Sequence, residues 1–525
     1  MNTNVISKVQ RRIVRLAVGT ASTGAMVLSL LVPPAVADPG VVPAPVIPGG
    51  PALPGWGAPA MKPAAEPGLL KVVPSNGPVG ISTTISGTGA GAGKTVQIVW
   101  GTSNVDWILD ARPDSVDYLG RKTTPINRVL ANATADARGA FSIKLNVPQD
   151  FGAIHDIYAV VDGIQIAKGG FLIERTFKIT PTSGPVGTKI HVSIRGLGAT
   201  LYGSSESLYY DSHYGGVATA LWTRGSADYV LRAAGPVGPH TITLAGGMQF
   251  NYLNYQQSPV PWATGTVQQF TVTSDDGPPA AEIDWPAAIT PTISQRTTLA
   301  DTNLVAGTKA TLTLSATSGP IESKTTVTAS GLTPGAAIDV VWSTVVGNRV
   351  NCTGTCWQFS TLPLAATKAA ADGTLKAEIT VPDNLGGWHV VQVAQAGKIV
   401  AQQPFFVKRS IAEYPKTVKA GERFTVHLKG VGWTQLDNTV AVDYDNSYVG
   451  YGCGFNSNGD VVLNLVATGG KGTHLIDIYP LLYTYQPAYP YPPHSMVPFL
   501  SYAKDAPGLA VGYQLPAMRI AITVT

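Results

Sequence analysis

The sequence predicts an all-β protein built from several tandem β-sandwiches. Glycine (57 residues) and proline (40 residues) are abundant while charged residues make up only 13% of the chain, a balance that favours turns and strands over helices. Short stretches that alternate between apolar and polar residues, such as 141–147, recur between clusters of Gly, Pro, Asn and Asp. A chain of 525 residues is too long for one hydrophobic core, so we expect separate domains.

A long internal repeat divides the chain into two halves. Moving 242 positions along the chain, Val99-Trp100 meets Val341-Trp342, and from Gly139 the offset becomes 234 because one loop is shorter in the second half. At this second offset the matches run through two consecutive modules: His155 and His389, Phe171 and Phe405, Tyr210-Asp211 and Tyr444-Asp445, His240 and His474. The chain is therefore predicted to be an A–B pair of modules written twice, in the order A-B-A-B.

The repeats and the composition together define seven predicted segments. They are a signal peptide (1–37), a Pro/Gly/Ala-rich linker (38–68), module A1 (69–174), module B1 (175–273), a second linker (274–308), module A2 (309–408), and module B2 (409–525) with a long Tyr/Pro-rich insertion. Linkers of this composition cannot bury a core, so we expect the two halves to pivot at the second linker.

The first 37 residues have the pattern of a secretory signal. Four basic residues precede an apolar run, and Ala35-Val36-Ala37 offers small residues for cleavage. The alternative is an uncleaved membrane anchor, which Pro33-Pro34 disfavours. Without these four basic residues, 32 of the 36 Lys+Arg remain against 32 Asp+Glu, so the mature chain has a net charge of about zero. We therefore expect export, no stable transmembrane anchor after cleavage, and no nucleic-acid partner.

One short phrase opens each module. Thr182-Ser183-Gly184-Pro185-Val186-Gly187 returns at 75–80 and 317–321, with a fainter trace at 416–421. Glycine permits an unusual backbone angle, and proline, which lacks an N–H, is tolerated at a sheet edge. The phrase is therefore predicted to be a structural start signal for each sandwich.

The same residues carry a family resemblance. The phrase at 181–188, running into 190–196, resembles the opening of bacterial IPT/TIG-type immunoglobulin-like domains, and Ala-Asp-Gly-Thr at 371–374 leading into 379–382 resembles related exported Ig-like repeats. The resemblance implies four tandem immunoglobulin-like β-sandwich domains used as spacer, adhesion or ligand-binding modules, and no catalytic residue carries over. We therefore expect a non-enzymatic protein of the cell envelope or the extracellular space.

Cysteines and acidic residues add little further chemistry. Cys352 and Cys356 lie in one loop and are predicted to form a small disulfide ring, which leaves Cys453 unpaired. Asp443-Tyr444-Asp445-Asn446 lacks the glycine and the terminal glutamate of a calcium loop, and Gly87–Thr95 lacks the spacing of a phosphate-binding loop. No metal or cofactor is predicted.

The B modules hold the candidate binding residues. Most of the 20 tyrosines lie there, and the phrase Tyr-Asp-x-x-Tyr-x-Gly is duplicated. Tyrosine combines a flat apolar face with a hydroxyl, which suits sugar rings or a protein partner. The predicted ligand-binding residues are Tyr210, Asp211, Tyr214, Tyr444, Asp445, Tyr448, Tyr483 and Tyr485. The alternative is that these rings pack the long loops against their own sandwich.

Three functions stay open at this level. The first is adhesion or ligand binding at the cell surface, with a cell-wall glycan or another surface protein as partner. The second is a secreted carbohydrate-binding or carbohydrate-processing protein with its site in the B loops, and the third is self-association into a surface layer or filament. The four matched histidines, each at the start of a strand, are expected to bond to the backbone rather than to catalyse a reaction.

Overall fold

A computed structural model describes residues 62–112, 115–199, 203–246, 266–288, 304–347, 357–481 and 497–525. Within these ranges the chain is all-β, as predicted, and its helical segments are two short 3-10 turns, Phe455–Ser457 and Pro507–Val511. No helix in the described ranges is long and apolar enough to span a lipid bilayer. The predicted signal peptide, the Cys352–Cys356 ring, Tyr483 and Tyr485 lie outside the described residues.

The first half of the chain contributes strands β1 to β17. In and before module A1 the strands are β1 Pro63–Leu69, β2 Lys71–Val73, β3 Asn76–Gly77, β4 Ser82–Gly87, β5 Thr95–Arg112, β6 Ser115–Thr134, β7 Phe141–Asn146, β8 Ala153–Val161 and β9 Ile164–Ile173. In module B1 they are β10 Thr176–Thr180, β11 Ser183–Gly184, β12 Lys189–Arg195, β13 Ser205–Tyr210, β14 His213–Thr219, β15 Ala227–Arg232, β16 Gly238–Gly246 and β17 Val267–Val272.

The second half begins with a strand from the linker. This strand is β18 Glu282–Asp284. In module A2 the strands are β19 Thr311–Leu314, β20 Ser318–Pro320, β21 Lys324–Ser330, β22 Ala337–Gly347, β23 Trp357–Lys368, β24 Leu375–Thr380, β25 Gly387–Gln395 and β26 Lys398–Lys408. In module B2 they are β27 Ser410–Glu413, β28 Thr417–Val418, β29 Arg423–Lys429, β30 Thr439–Tyr444, β31 Ser447–Cys453, β32 Val461–Val466, β33 Gly472–Pro480 and β34 Ala517–Val524.

The described strands of each module form one three-stranded sheet and one larger sheet. The small sheets have the orders β2-β4-β7, β10-β12-β15, β19-β21-β24 and β27-β29-β32. The large sheets have the orders β1-β9-β8-β5-β6, β11-β17-β16-β13-β14, β20-β26-β25-β22-β23 and β18-β34-β33-β30-β31. Apolar side chains from both sheets share one core, as Val327 and Trp342 do in module A2, so the two sheets form a sandwich.

The repeated phrase moves the chain from one sheet to the other. The short strands β3, β11, β20 and β28 each contain part of the phrase or of its trace, and each pairs in parallel with the last strand of its own module. The strands just before them, β2, β10, β19 and β27, belong to the small sheets. The chain therefore changes sheets at the start of every module. Glycine and proline are compatible with this change in three copies of the phrase, and the trace at 416–421 makes the same change without proline.

Both predicted linkers contain paired backbone. Pro63–Leu69, inside the predicted first linker, pairs in parallel with β9, so strand structure begins before residue 69. In the second linker, Glu282–Asp284 pairs with β34 and Leu304 bridges Ile399. The Lys189 ammonium also contacts the Glu282 carboxylate at 2.6 Å, which ties module B1 to this strand. The expectation of a free pivot is wrong for the described part of the second linker, because its backbone is hydrogen-bonded into module B2.

The four modules do not form a simple string. The antiparallel strands β5 and β6 are far longer than β22 and β23, their counterparts in module A2, and they extend beyond the A1 sandwich. One continuous buried cluster contains Trp107 of A1, Phe270 of B1, Trp388 of A2 and Tyr479 of B2. All four modules therefore share packing at the centre of the molecule.

We predict that the contact between consecutive A and B modules requires glycine. A Cβ on Gly152 would collide with the carbonyl of Gly196, and a Cβ on Gly386 would collide with the carbonyl of Gly430. Gly152→Ala and Gly386→Ala should each lower the free energy of unfolding by about 1–3 kcal/mol. Gly470→Ala is the control, because no described atom lies within 4 Å of its added Cβ. Urea unfolding measures the difference, and equal stability of all three variants would contradict the proposed close contact.

Candidate functional site

The duplicated Tyr-Asp phrase forms a tight hairpin turn. Asp211 and Ser212 connect β13 to β14 with φ of +47° and +66°, and Asp445 and Asn446 connect β30 to β31 with φ of +49° and +59°. Two consecutive positive φ angles define the type I′ turn, in which Asp and Asn are favoured. The phrase therefore encodes a turn, a role that its spacing alone did not reveal.

Each turn aspartate binds the matched histidine of the neighbouring strand. The His240 ring donates from Nδ1 to the Asp211 carboxylate at 2.5 Å, and the His474 ring donates from Nδ1 to Asp445 at 2.6 Å. The Nε2 atoms face the carbonyl oxygens of Pro236 at 2.7 Å and Gly470 at 2.9 Å. Both ring nitrogens of each histidine thus face acceptors within the protein.

In both pairs the second ring nitrogen of the histidine contacts a backbone carbonyl. Burial opposes the charge on His474, but the hydrogen bond and the negative charge of Asp445 outweigh it and raise the pKa of the imidazole. A catalytic histidine needs one ring nitrogen directed at substrate, whereas here the second nitrogen is bonded to the backbone. His155 and His389 contact backbone carbonyls in the A modules in the same way, as expected from the sequence.

Three of the predicted binding tyrosines lie inside the protein. Tyr210 is 3% exposed and its hydroxyl donates to the Ala234 carbonyl at 2.8 Å, while buried Tyr444 donates to the Thr468 carbonyl at 2.9 Å. Tyr214 is 9% exposed and meets Tyr448 where modules B1 and B2 touch, with ring centroids 6.4 Å apart. These rings therefore pack within and between the B sandwiches, the alternative that the sequence left open.

The remaining predicted residues differ in their surroundings. Asp211 is exposed, whereas Asp445 and Tyr448 are half-buried. Tyr483 and Tyr485 lie outside the described residues. A ligand-binding role for this set of residues stays a prediction. Among its described members, Asp211, Asp445 and Tyr448 are at least partly open to solvent.

A charge cluster joins modules B1 and B2. It consists of Arg232 on β15, Asp443 on β30, Asp477 on β33 and Arg519 on β34, all buried. The Asp477 carboxylate lies 2.8 Å from Arg232 and 3.4 Å from Arg519, and the Arg232 guanidinium donates to the Ile520 carbonyl at 2.7 Å. Arg519 also donates to the Val230 carbonyl of B1 at 3.1 Å. A buried guanidinium stays charged and needs such partners to offset its desolvation, so the cluster couples the two B modules.

The linker strand completes this charge cluster. Glu282 and Asp284 on β18 place carboxylates 4.0 Å and 3.6 Å from the guanidinium of Arg519. Asn446 of module B2 donates its side-chain N–H to the Arg232 carbonyl at 2.8 Å. The linker thus contributes charge as well as backbone pairing to the contact between the modules.

The surroundings of Asp443 in this charge cluster disfavour the ionised form of its carboxyl group. It lies directly opposite Asp477 on the adjacent strand, and both are buried. Burial first, and then the negative charge of Asp477, raise the pKa of the Asp443 carboxyl well above its ordinary value. The carboxyl therefore favours its neutral form in the folded protein.

We predict that Asp443→Asn stabilises the protein at neutral pH. The folded state retains a proton on Asp443 that the unfolded chain releases above its ordinary pKa of about 3.9. The contribution of protonated Asp443 to the free energy of unfolding is therefore fully present below that pH and is lost as the pH rises toward the raised pKa. Asparagine is neutral at every pH and still offers an N–H to Asp477. Urea unfolding at pH 4 and pH 7 should show the larger gain at pH 7. The exposed Asp106→Asn is the control, and the same gain at both pH values would refute the assignment.

A second buried carboxylate joins the A1 hairpin to module B2. The Trp107 indole donates to Asp505 at 3.1 Å, and the backbone N–H of Leu221 in module B1 donates to the other oxygen at 2.5 Å. Burial raises the pKa of the Asp505 carboxyl, and these hydrogen bonds oppose the shift. The sequence contained one signal of this contact, the longer loop of module A1 relative to module A2, but nothing in that length identified its partner.

Corresponding polar groups differ at the two A–B junctions. In the first half, buried Asp150 accepts from the Trp100 indole at 3.0 Å and from the Arg224 guanidinium at 2.9 Å. In the second half Asn384 replaces Asp150 and Asn458 replaces Arg224, and the Thr344 hydroxyl donates to Asn384 at 2.6 Å. The negative and the positive charge are thus absent together, which indicates that the two positions depend on each other.

We predict that Asp150→Asn and Arg224→Asn are strongly non-additive. Asp150→Asn leaves the half-buried Arg224 without its carboxylate, and Arg224→Asn leaves the buried Asp150 with Arg128, 3.8 Å away, as its cationic partner. The double variant removes both charges of the pair and has the residue types of the second half. The double variant should be more stable than the sum of the single effects by about 1–3 kcal/mol. Chemical unfolding of the four proteins measures the coupling, and a coupling near zero would contradict mutual dependence.

Module A2 has a groove on its outer face, which we call the A2 groove. It has a volume of about 790 Å³ and crosses β22, β23 and the turn between β25 and β26. Val341, Pro363 and Ile399 supply apolar surface, while Asp339 and Lys398 supply opposite charges. This volume lies within the range of small-molecule sites. On the same face of module A1, Val99, Tyr158 and Val160 form a buried cluster instead.

No three His, Cys, Asp or Glu side chains within the described residues converge as in a metal site. Cys453 is exposed on β31 as a free thiol, with its sulfur 3.4 Å from the Thr439 hydroxyl.

Comparison with known proteins yields structural matches at very low similarity. The chain is similar to Escherichia coli alpha-2-macroglobulin activated by porcine elastase, with 12% identity over 86% of this chain and 43% of that chain and a TM-score of 0.14. It is also similar to the teleost fish polymeric Ig receptor ectodomain (10% identity, 41% and 97% covered, TM-score 0.14). A Corynebacterium diphtheriae protein described as membrane anchored matches with 12% identity, 65% and 90% covered, and a TM-score of 0.15.

The chain spans less than half the length of the macroglobulin structure. No protein-family model and no curated protein sequence matches the chain. The resemblance to IPT/TIG-type domains therefore stays a prediction from the repeated phrase.

Proposed function

We propose that the chain is a non-enzymatic exported protein of four immunoglobulin-like sandwiches, in the order A-B-A-B, that acts as a binding module of the cell envelope or the extracellular space. Three features support this proposal: the signal-like N-terminal sequence, the internal repeat at offsets of 242 and then 234 residues, and the matching sheet orders of the two halves. The duplicated Asp–His pairs, the most enzyme-like groups among the described residues, are bonded to the backbone and support a structural role.

The A2 groove is the observation that carries a binding function. Its floor is built on β22 and β25, whose pairing is continuous from Ile338 to Ser343, so the surface is preformed. A groove that combines apolar side chains with one carboxylate and one ammonium suits a ligand with an apolar face and polar groups at its sides, a description that fits a pyranose chain. The proposed ligand is a cell-wall glycan, and another surface protein is the alternative.

Binding of solubilised peptidoglycan fragments to the mature full-length chain, followed by calorimetry, tests this proposal. Thr361→Trp fills the A2 groove from an exposed strand position and should weaken binding by about tenfold or more. Lys324→Ala is the control, because this exposed lysine lies on the opposite sheet of the same sandwich and should leave affinity unchanged. Equal binding by the wild type and Thr361→Trp would eliminate the groove as the site.

A second candidate function is self-association, and one feature favours it. Val449 and Tyr451 expose apolar side chains on the edge strand β31, and exposed apolar edges promote pairing between chains. Sedimentation velocity of the mature protein without ligand measures this property directly. The carbohydrate-processing alternative depends on Tyr483 and Tyr485 in the B2 insertion, and Ala substitutions there in the same peptidoglycan titration would reveal their contribution.

A further inference from the structure

The face of module A1 that corresponds to the A2 groove carries an internal ion pair beside a large aromatic ring. Tyr158 is 7% exposed there, and its hydroxyl donates to the Asp156 carboxylate at 2.9 Å. The Lys168 ammonium contacts the same carboxylate at 3.1 Å and lies 5.6 Å from the centroid of the Tyr158 ring. The positive and the negative charge of this face therefore neutralise each other inside module A1.

Module A2 has smaller or uncharged residues at the same positions. The replacements, from A1 to A2, are Tyr158 to Gln392, Val160 to Ala394, Lys168 to Gln402 and Asp156 to Val390. The Gln392 amide donates to the Gln402 amide oxygen at 3.1 Å. A neutral contact thus stands where module A1 has an ion pair, and the smaller side chains leave room for the groove.

A second ion pair of module A1 is also missing from module A2. The Lys94 ammonium contacts the Asp162 carboxylate at 2.9 Å and joins the turn before β5 to the turn between β8 and β9. The corresponding residues of module A2 are alanines, Ala336 and Ala396. In A2 these two turns are joined by a neutral hydrogen bond, from the Gln395 amide to the Thr333 hydroxyl at 2.6 Å. Module A2 therefore lacks both ion pairs that neutralise charge on this face of A1.

The two charges of the A2 groove have no counterpart in module A1. Asp339 corresponds to Gln97, and Lys398 corresponds to Ile164. Both charged side chains line the groove, both residues are exposed, and neither forms an ion pair with another described residue. Strand β25 lies between β22 and β26, so the backbones of Asp339 and Lys398 are about 10 Å apart across the sheet. The groove thus presents a carboxylate and an ammonium that are free to bind a ligand.

We propose that this end of the A2 groove binds a short peptide that carries one ammonium and one carboxylate, the peptide attached to a cell-wall glycan. The inference rests on the proposed function and names the part of the polymer that the charges recognise. An extended peptide spans about 3.3–3.6 Å per residue, so about three residues cover the distance between Asp339 and Lys398. The peptide ammonium pairs with Asp339 and its carboxylate pairs with Lys398.

The rest of the groove fits the sugar that carries this peptide. Val341 lies two positions along β22 from Asp339, away from the turn that contains Lys398, and Pro363 lies opposite Val341 on β23. These apolar side chains suit the face of a pyranose ring, which has no charge to pair with Asp339 or Lys398. Charge-assisted hydrogen bonds are stronger than neutral ones, so the peptide supplies the specificity of the site.

Calorimetry with two probes tests the peptide assignment. The mature full-length chain is titrated with a glycan fragment whose peptide has a free amino group and a free carboxylate, and with the same glycan fragment after removal of its peptide. The peptide-bearing fragment should bind tighter by about tenfold or more, and added salt should reduce this difference because exposed charges are screened. Equal binding of both fragments would overturn this inference and leave the proposed glycan function intact, whereas no binding of either fragment would overturn both.

Variants that introduce the residues of module A1 test the two charges directly. Asp339→Gln and Lys398→Ile should each weaken binding of the peptide-bearing fragment by about tenfold and leave binding of the peptide-free fragment unchanged. Lys324→Ile is the control, because this exposed lysine lies on the opposite sheet and should leave both affinities unchanged. Unchanged affinity of Asp339→Gln and Lys398→Ile for the peptide-bearing fragment would overturn the assignment, even if that fragment bound the wild type more tightly.

Discussion

The buried ion pairs of Asp477 with Arg232 and Arg519 hold the molecule together. A guanidinium removed from water is costly, and each arginine here recovers that cost through a carboxylate and backbone carbonyls that belong partly to the other B module. The charges are therefore satisfied only when modules B1 and B2 are in register. This requirement fixes one orientation of the two modules, which apolar packing alone would specify less strictly.

Much of the architecture could be predicted from local patterns. Alternating strands and Gly/Pro turns predicted the all-β class because they depend on residues close in sequence, and the internal repeat predicted the matched positions. The phrase at 182–187 was interpreted as a start signal, and each copy marks a change of sheet at the beginning of its module, including the trace at 416–421, which has no proline. Sequence reasoning failed where contacts join distant segments. Nothing near Trp107 indicates that Asp505 is its partner, and nothing near residues 282–284 indicates that they pair with β34.

The tyrosines show how one composition supports two interpretations. A duplicated Tyr-Asp phrase in loops resembles a ligand surface, and the same phrase satisfies a type I′ turn whose aspartate binds a neighbouring histidine. The turn depends on the backbone angles at Asp211 and Asp445, which are properties of the folded chain, while a ligand-binding role for these residues stays a prediction. The paired loss of Asp150 and Arg224 in the second half was present in the sequence as Asn384 and Asn458, but it acquired meaning only once their counterparts were seen in contact.

The position of β34 has a mechanical consequence. This last strand lies between β33 on one side and the linker strand β18 with β28 on the other. A force that pulls on residue 525 along the strand would load the hydrogen bonds of both sides together in shear, and would not open them one after another. Strand β18 also contacts module B1 through Glu282 and Lys189, so the pulling force would pass from β34 to the first half of the chain. A force applied at residue 525 would therefore be resisted by both halves and not by module B2 alone.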